Sequence, residues 1–182
     1  MKFFIEIGSS DFDTLIPLAK QGWHGIIVEP IKYYLDRIER VPGVIYENAA
    51  ITPQEGNFQI KRWDPEFINS QGQFWMHGSG NLNLKYNVFE ANKKLKDHEI
   101  VEDVKGVTLD QLLDKHKVSQ IDYLKIDTEG YDSLILESYD FRIKPTVIRA
   151  EHVHCGADRM IEILESQGYL VYREANDIYA VG

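Results

Sequence analysis

Three stretches of this chain combine polar groups in patterns that chemistry uses. The first is FFIEIGSSDFDT at residues 3–14, followed at Gly25–Pro30 by GIIVEP. An apolar run ends at Ile7 and breaks into the turn Gly8-Ser9-Ser10-Asp11. About twenty residues after Gly8, a second apolar run ends in Glu29 and Pro30. A small-residue turn lets a ligand approach the backbone, and an acid at the end of the next strand can accept hydrogen bonds from ribose hydroxyls. The second stretch, IDYLKIDTEGYD at 121–132, carries Lys125 and ends its apolar run in Asp127, Glu129 and Gly130. Strand residues two apart share a face, so Lys125 is expected beside Asp127, where an ion pair would hold the acid. The third is EHVH at Glu151–His154, in which His152 and His154 are also two apart. Imidazole titrates near neutral pH, so either can take a proton from a hydroxyl, with Asp127 to orient it. The same histidines with Asp127 or Glu129 would also suit a divalent metal; two histidines are thin grounds for one, and no metal is assigned.

Secondary candidates surround these. Glu47 and Asn48 end a third apolar run and would flank a flat ring, with Ala49 and Ala50 making room for it. Trp75, His77 and Tyr86 lie in QGQFWMHGSGNLNLKYN, a Gly- and Asn-rich excursion read as passing over a pocket mouth. Cys155 lacks any acyl-transfer elbow and reads as a small buried side chain. Trp23 and Trp63 read as structural. Each acid also has a plain reading: Asp11 or Asp13 as a helix cap, Glu29 as a surface acid, Glu129 as a helix-start charge favoured by the dipole.

The elements that would position these groups alternate strand and helix. Strands are expected at Phe3–Ile7, Ile26–Glu29, Val44–Glu47, Ile121–Ile126 and Thr146–Ala150. Helices are expected at Asp13–Gln21, Ile31–Ile38, after a Thr108 cap, at Asp132–Ser138 and at Ala157–Gln167. Extended pieces at Phe58–Trp63 and Ile100–Val104 are less regular. Tyr169–Arg173 and Ile178–Val181 form a hairpin, the one plainly antiparallel feature. Alternation of this kind implies a mostly parallel sheet covered by helices on both faces, with ligands beyond the carboxyl ends of the strands. Five strand ends carrying the polar residues above would then converge on one rim.

Composition narrows the chemistry. The 182 residues fit a single domain with a sizeable core, and 43% hydrophobic content argues against disorder. No apolar run is long enough for a membrane span, and the N-terminus lacks the features of a secretory signal. With one cysteine, a cytoplasmic location is expected. Twenty basic against twenty-nine acidic residues give a net charge of −9, and the densest basic cluster (Lys93, Lys94, Lys96) is followed by Asp97, Glu99, Glu102 and Asp103. Nucleic acid is therefore a poor partner.

The turn also argues about the ligand. A pyrophosphate site wants G-x-G-x-x-G, but Ser10 and Asp13 stand where the later glycines would be, and Glu6, Asp11 and Asp13 would oppose the charge. A cofactor with an amino-acid tail and no phosphate meets no such penalty, and its ammonium would suit Glu6. S-adenosylmethionine fits that description. An NAD-dependent oxidoreductase and a non-catalytic nucleoside-binding module remain as alternatives.

Taken together, FFIEIGSSDFDT, GWHGIIVEP, the AAI after Asn48, VTLDQLL, IDYLKIDTEGYD and TVIRAEHVH resemble the FkbM family of S-adenosylmethionine-dependent methyltransferases. The resemblance implies an α/β, Rossmann-like class I methyltransferase fold: a mostly parallel seven-stranded sheet with helices on both faces and a C-terminal antiparallel hairpin. It implies methyl transfer to a hydroxyl of a sugar, polyketide or related small metabolite. Carried over by position, Glu6 and Gly8 belong to the cofactor turn, with Ser9 and Ser10 read beside them from the turn itself, and Glu29, followed by Pro30, is the ribose-binding acid. Asp127 and Glu129 belong to the strand-end acids beside the reaction centre. Phe12 stands where glycine is common in the family. The chain is compact, so a small or terminal acceptor is expected, or a pocket completed by a second subunit of a homo-oligomer.

Overall fold

Apolar runs too continuous to be one-sided strands form the centre of the computed structural model, which describes residues 1–12, 14–71, 74–80, 82 and 97–182. β1 (Phe3–Ile7), β2 (His24–Val28) and β7 (Tyr123–Ile126) are buried on both faces, as central strands of a parallel sheet must be. β3 (Val44–Glu47) and β8 (Val147–Glu151) extend this sheet on either side. β10 (Asp177–Val181) joins β8 antiparallel, and β9 (Leu170–Glu174) pairs with β10 across the expected turn. The spatial order is β3-β2-β1-β7-β8-β10-β9. The chain is thus an α/β fold with a mostly parallel sheet. Strand order reverses between β1 and β7, where a crevice opens beyond the strand ends.

Helices cover both faces. α1 (Ile16–Lys20) and α2 (Lys32–Leu35) press Ile16, Ala19 and Leu35 onto Phe4 and Ile27. α4 (Leu109–His116), α5 (Asp132–Ser138) and α6 (Ala157–Ser166) pack Leu112, Leu136 and Leu164 against Ile5, Leu124 and Ile148 on the other side. Among the described residues no helix is long and apolar enough to cross a membrane.

The first two helices are shorter than their apolar periodicity predicts. α1 begins after Leu15, whose backbone N–H donates 2.8 Å to the Glu6 carboxylate; the expected Asp13 cap lies outside the described residues. The chain after Leu35 leaves the helix, although Ile38 still reaches the core.

The irregular middle holds a second sheet that the sequence reading does not contain. β5 (Gly56–Trp63) and β6 (Glu99–Val107) pair antiparallel along their length, and β4 (Ala50–Ile51) adds a short parallel strand, in the order β4-β6-β5. The C-terminal hairpin is therefore not the one plainly antiparallel feature. These strands mix buried and exposed positions, as a sheet with one solvated face does, and so their apolar signal is weak. α3 (Pro65–Gln71) and a 3-10 turn at Phe74–Gly78 follow β5. Tyr86, Lys93, Lys94 and Lys96 lie outside the described residues, as does the side chain of Trp75.

The expected Thr108 cap is present as a reciprocal pair: Gln111 N–H donates to Thr108 Oγ1 at 3.1 Å, and Thr108 N–H donates to Gln111 Oε1 at 3.0 Å. Thr108→Ala should lower stability by about 1 kcal/mol, read as a lower urea midpoint at unchanged slope.

Candidate active site

A cavity of about 400 Å³ lies at the carboxyl ends of β1, β2, β7 and β8, within the size range of small-molecule sites. Its donor-rich corner begins at Gly8. There the backbone has φ +78°, and a Cβ would stand 1.8 Å from the carbonyl oxygen of Asp127. Only glycine allows β1 and β7 to end this close together. Ser9 and Ser10 follow on the cavity wall, with Ser10 itself left-handed at φ +48°.

That twist aims the Ser10 N–H at Glu29, whose Oε2 accepts it at 2.7 Å while Oε1 accepts the Ile31 N–H at 2.9 Å. Glu29 is 3% exposed and lines the cavity beside Pro30. Burial pushes its carboxyl up to about 7 against the two backbone donors; Asp11 and Glu6 add to the rise. Each oxygen keeps a lone pair for a ligand hydroxyl. Beyond Glu29, Val28, Ile31, Ala49, Ala50, Ile51 and Ile60 make an apolar wall suited to a flat ring.

Two hydroxyls on the lining have no hydrogen-bond partner among the described residues: Ser10 Oγ and the phenol of Tyr34, a residue 1% exposed. Buried polar groups are nearly always satisfied, so these mark where a polar ligand belongs. His77, Gly78, Gly80 and Leu82 also line the cavity, as the mouth excursion anticipates. Phe12 is another lining residue.

The opposite corner is acidic. Asp127, Glu129 and Glu151 line it. Asp132, fully buried just behind, accepts from Thr128 N–H at 3.2 Å, Thr128 Oγ1 at 2.8 Å and Gly130 N–H at 3.2 Å. This clamp fixes the turn in which Glu129 takes φ +55°. Burial, with Asp127 and Asp132 nearby, lifts Glu129 up to about 7. Burial, with Asp127, Glu129 and Asp132, lifts Glu151 up to about 8. His154 Nε2 stands 3.1 Å from Glu129 Oε2. Glu129, Glu151 and His154 thus form a set of groups able to ligate one ion.

Several sequence-derived assignments change. Glu6 does not face the cavity: it is fully buried, with its oxygens taken by Leu15 N–H and by Lys125 Nζ at 3.1 Å. Lys125 holds Glu6, an acid on the neighbouring strand. Glu47 is turned outward to Lys115 at 2.8 Å and His116 at 2.6 Å, so it flanks no ring. Asn48 instead braces the loop at Glu29 and Pro30, donating to the carbonyls of Glu29 at 3.0 Å and Pro30 at 2.8 Å. His152 and His154 diverge because β8 ends at Glu151. His152 is buried with Nε2 3.1 Å from the Ala175 carbonyl and belongs to a shallow depression beside α6. Cys155 is partly buried, its thiol pushed up to about 11 mainly by burial, which keeps it protonated.

Glu151, Tyr34 and Asp132 are site residues that sequence reasoning passes over. Tyr34 sits at the end of an apolar helix stripe and Asp132 at a helix start, positions where neither type is unusual. Glu151 had a usable signal: it ends a strand next to the histidines.

A family model described as the methyltransferase FkbM domain matches residues 6–171. Neither a curated protein nor a solved structure matches the chain.

Two outcomes follow from this geometry. Gly8→Ala should lose about 1–3 kcal/mol to backbone strain alone, and more from the clash with Asp127, measured by urea unfolding. For Glu29 the folded carboxyl titrates near 7, above its ordinary 4.5. Its stabilising contribution is then complete below about 4.5 and is lost as pH rises through about 7. Glu29→Gln should flatten that part of the stability profile, between about pH 4.5 and 7.

Proposed function

Because the chain belongs to the FkbM methyltransferase family, we propose that it transfers a methyl group from S-adenosylmethionine to a hydroxyl of a sugar or similarly small metabolite. The observation that carries this reading is Glu29: a buried carboxylate held by two backbone amides, facing a cavity beside an apolar wall. It suits a nucleoside. The unpartnered Ser10 and Tyr34 hydroxyls support the fit, since a polar ligand would satisfy them. The strand order, with the last strand antiparallel, is consistent with a class I methyltransferase sheet.

When bound, S-adenosylmethionine supplies an electrophilic methyl group on a sulfonium. The chain's own residues do the rest. Glu29 accepts from the ribose hydroxyls, and Val28, Ala49, Ala50 and Ile51 shield the ring. The amides at Gly8–Ser10 and the carboxylate of Asp127 take the charged tail, in place of the Glu6 contact that the sequence suggests. The acceptor hydroxyl then belongs at the acidic corner of Glu129, Glu151 and His154, where its proton is removed. Of the two histidines, His154 is the one at this corner, 3.1 Å from the cavity residue Glu129. The corner also argues against the dinucleotide reading: Asp127, Glu129 and Glu151 would face the pyrophosphate.

Titration calorimetry with S-adenosylhomocysteine and with NAD should show binding of the first alone. Glu29→Gln should weaken that binding at least about tenfold, or 1.4 kcal/mol. Binding of NAD in preference, or a Glu29→Gln variant that binds as well as the parent, overturns the cofactor assignment. In a metabolite screen with labelled methyl donor, His154→Ala should lower turnover about a hundredfold while His152→Ala should not. Equal turnover in both variants and the parent overturns the assignment of the acceptor corner.

A further inference from the structure

The acidic corner has more order than a loose group of carboxylates. Glu129 comes from the turn after β7, Glu151 from the last position of β8, and His154 from the turn that follows. The ligating atoms that these three offer all lie within 4.8 Å of one another. Two carboxylates with one imidazole form a donor set for catalytic divalent cations, which keep three protein ligands and leave positions open. The side chains of Glu129 and His154 are 24% and 29% exposed, so the corner is sheltered yet reachable.

A second observation points to a missing partner. Glu151 Oε2 is shielded from solvent and has no hydrogen-bond partner among the described residues, although Glu151 lines the cavity. A shielded carboxylate oxygen is costly unless something satisfies it. Neighbouring side-chain cations are engaged with other acids: Lys125 with Glu6, and Arg149 with Asp177 at 2.9 Å. The support beneath is also rigid, since Asp132 locks the turn carrying Glu129 through three hydrogen bonds.

We propose that Glu129, Glu151 and His154 hold a divalent cation whose open positions take oxygen atoms of the acceptor. The acceptor class this selects is a hydroxyl with a second oxygen on the adjacent carbon, as in a vicinal diol or a 2-hydroxy acid. The cation site stands on the geometry alone; its role toward an acceptor rests on the methyl-transfer reading above. A hydroxyl bound to such an ion ionises more readily: its O–H bond breaks, the electron pair stays on oxygen, and the proton leaves to water.

The test uses the full chain, stripped with a chelator and titrated with Mn²⁺ while the free-ion paramagnetic resonance signal is followed. One ion per chain should bind. Glu151→Gln and His154→Gln, checked for folding by circular dichroism, should each weaken it at least about tenfold. In the unsubstituted chain, bound Mn²⁺ should broaden the ring proton signals of His154 and leave those of His24 and His116 sharp. Absence of binding, binding that survives both substitutions, or broadening that spares His154 overturns the proposal. A parallel titration with S-adenosylhomocysteine separates the two readings. A chain that takes Mn²⁺ but not the nucleoside keeps the cation site and loses the proposed function. The reverse result does the opposite.

Discussion

The buried pair of Glu6 and Lys125 ties the functional half of this molecule together. Glu6 lies in the middle of β1 and Lys125 in the middle of β7, and both are nearly inaccessible to water. The other oxygen of Glu6 takes the backbone N–H of Leu15, where α1 begins. One carboxylate thereby fixes the spacing of the two strands at the switch point and the way the chain enters its first helix. Breaking such a pair from one side leaves an uncompensated charge, at a cost of about 3–5 kcal/mol. Gly8 and Asp127, each two residues beyond a member of the pair, meet backbone to backbone because that spacing is set.

From this frame the two corners of the cavity acquire opposite characters. Backbone amides of Ser10 and Ile31 face Glu29 on one side, each satisfying one of its carboxylate oxygens. On the other side burial, with the neighbouring carboxylates, raises the proton affinity of Glu129, Glu151 and Asp132. Such a site tolerates a neutral or positively charged ligand and resists phosphate. That electrostatic asymmetry gives the two ends of the cavity different company.

Much of this was legible in the sequence, for identifiable reasons. The central strands announced themselves because burial on both faces leaves near-continuous apolar runs, and the strand-end residues Gly8, Glu29, Asp127 and Glu129 followed from them. Thr108 was readable because a capping box is a local pattern. What escaped depends on contacts between distant residues. Glu47 looked like a rim acid until α4 brought Lys115 and His116 to it. His152 and His154 looked like a pair on one strand face, but the strand stops at Glu151 and period-two reasoning stops with it. Asp132 acts through three bonds to a preceding turn, which no spacing rule reveals.

The second sheet deserves its own reading. β4, β5 and β6 form a separate ladder, yet Ala50, Ile51 and Ile60 from it face the same cavity that β1 and β7 close from below. The crown and the base therefore keep independent registers while bounding a common space. Substitutions in the crown can reshape the upper wall of the cavity without disturbing the strand register of the base. A fold built this way can change its roof over a constant floor.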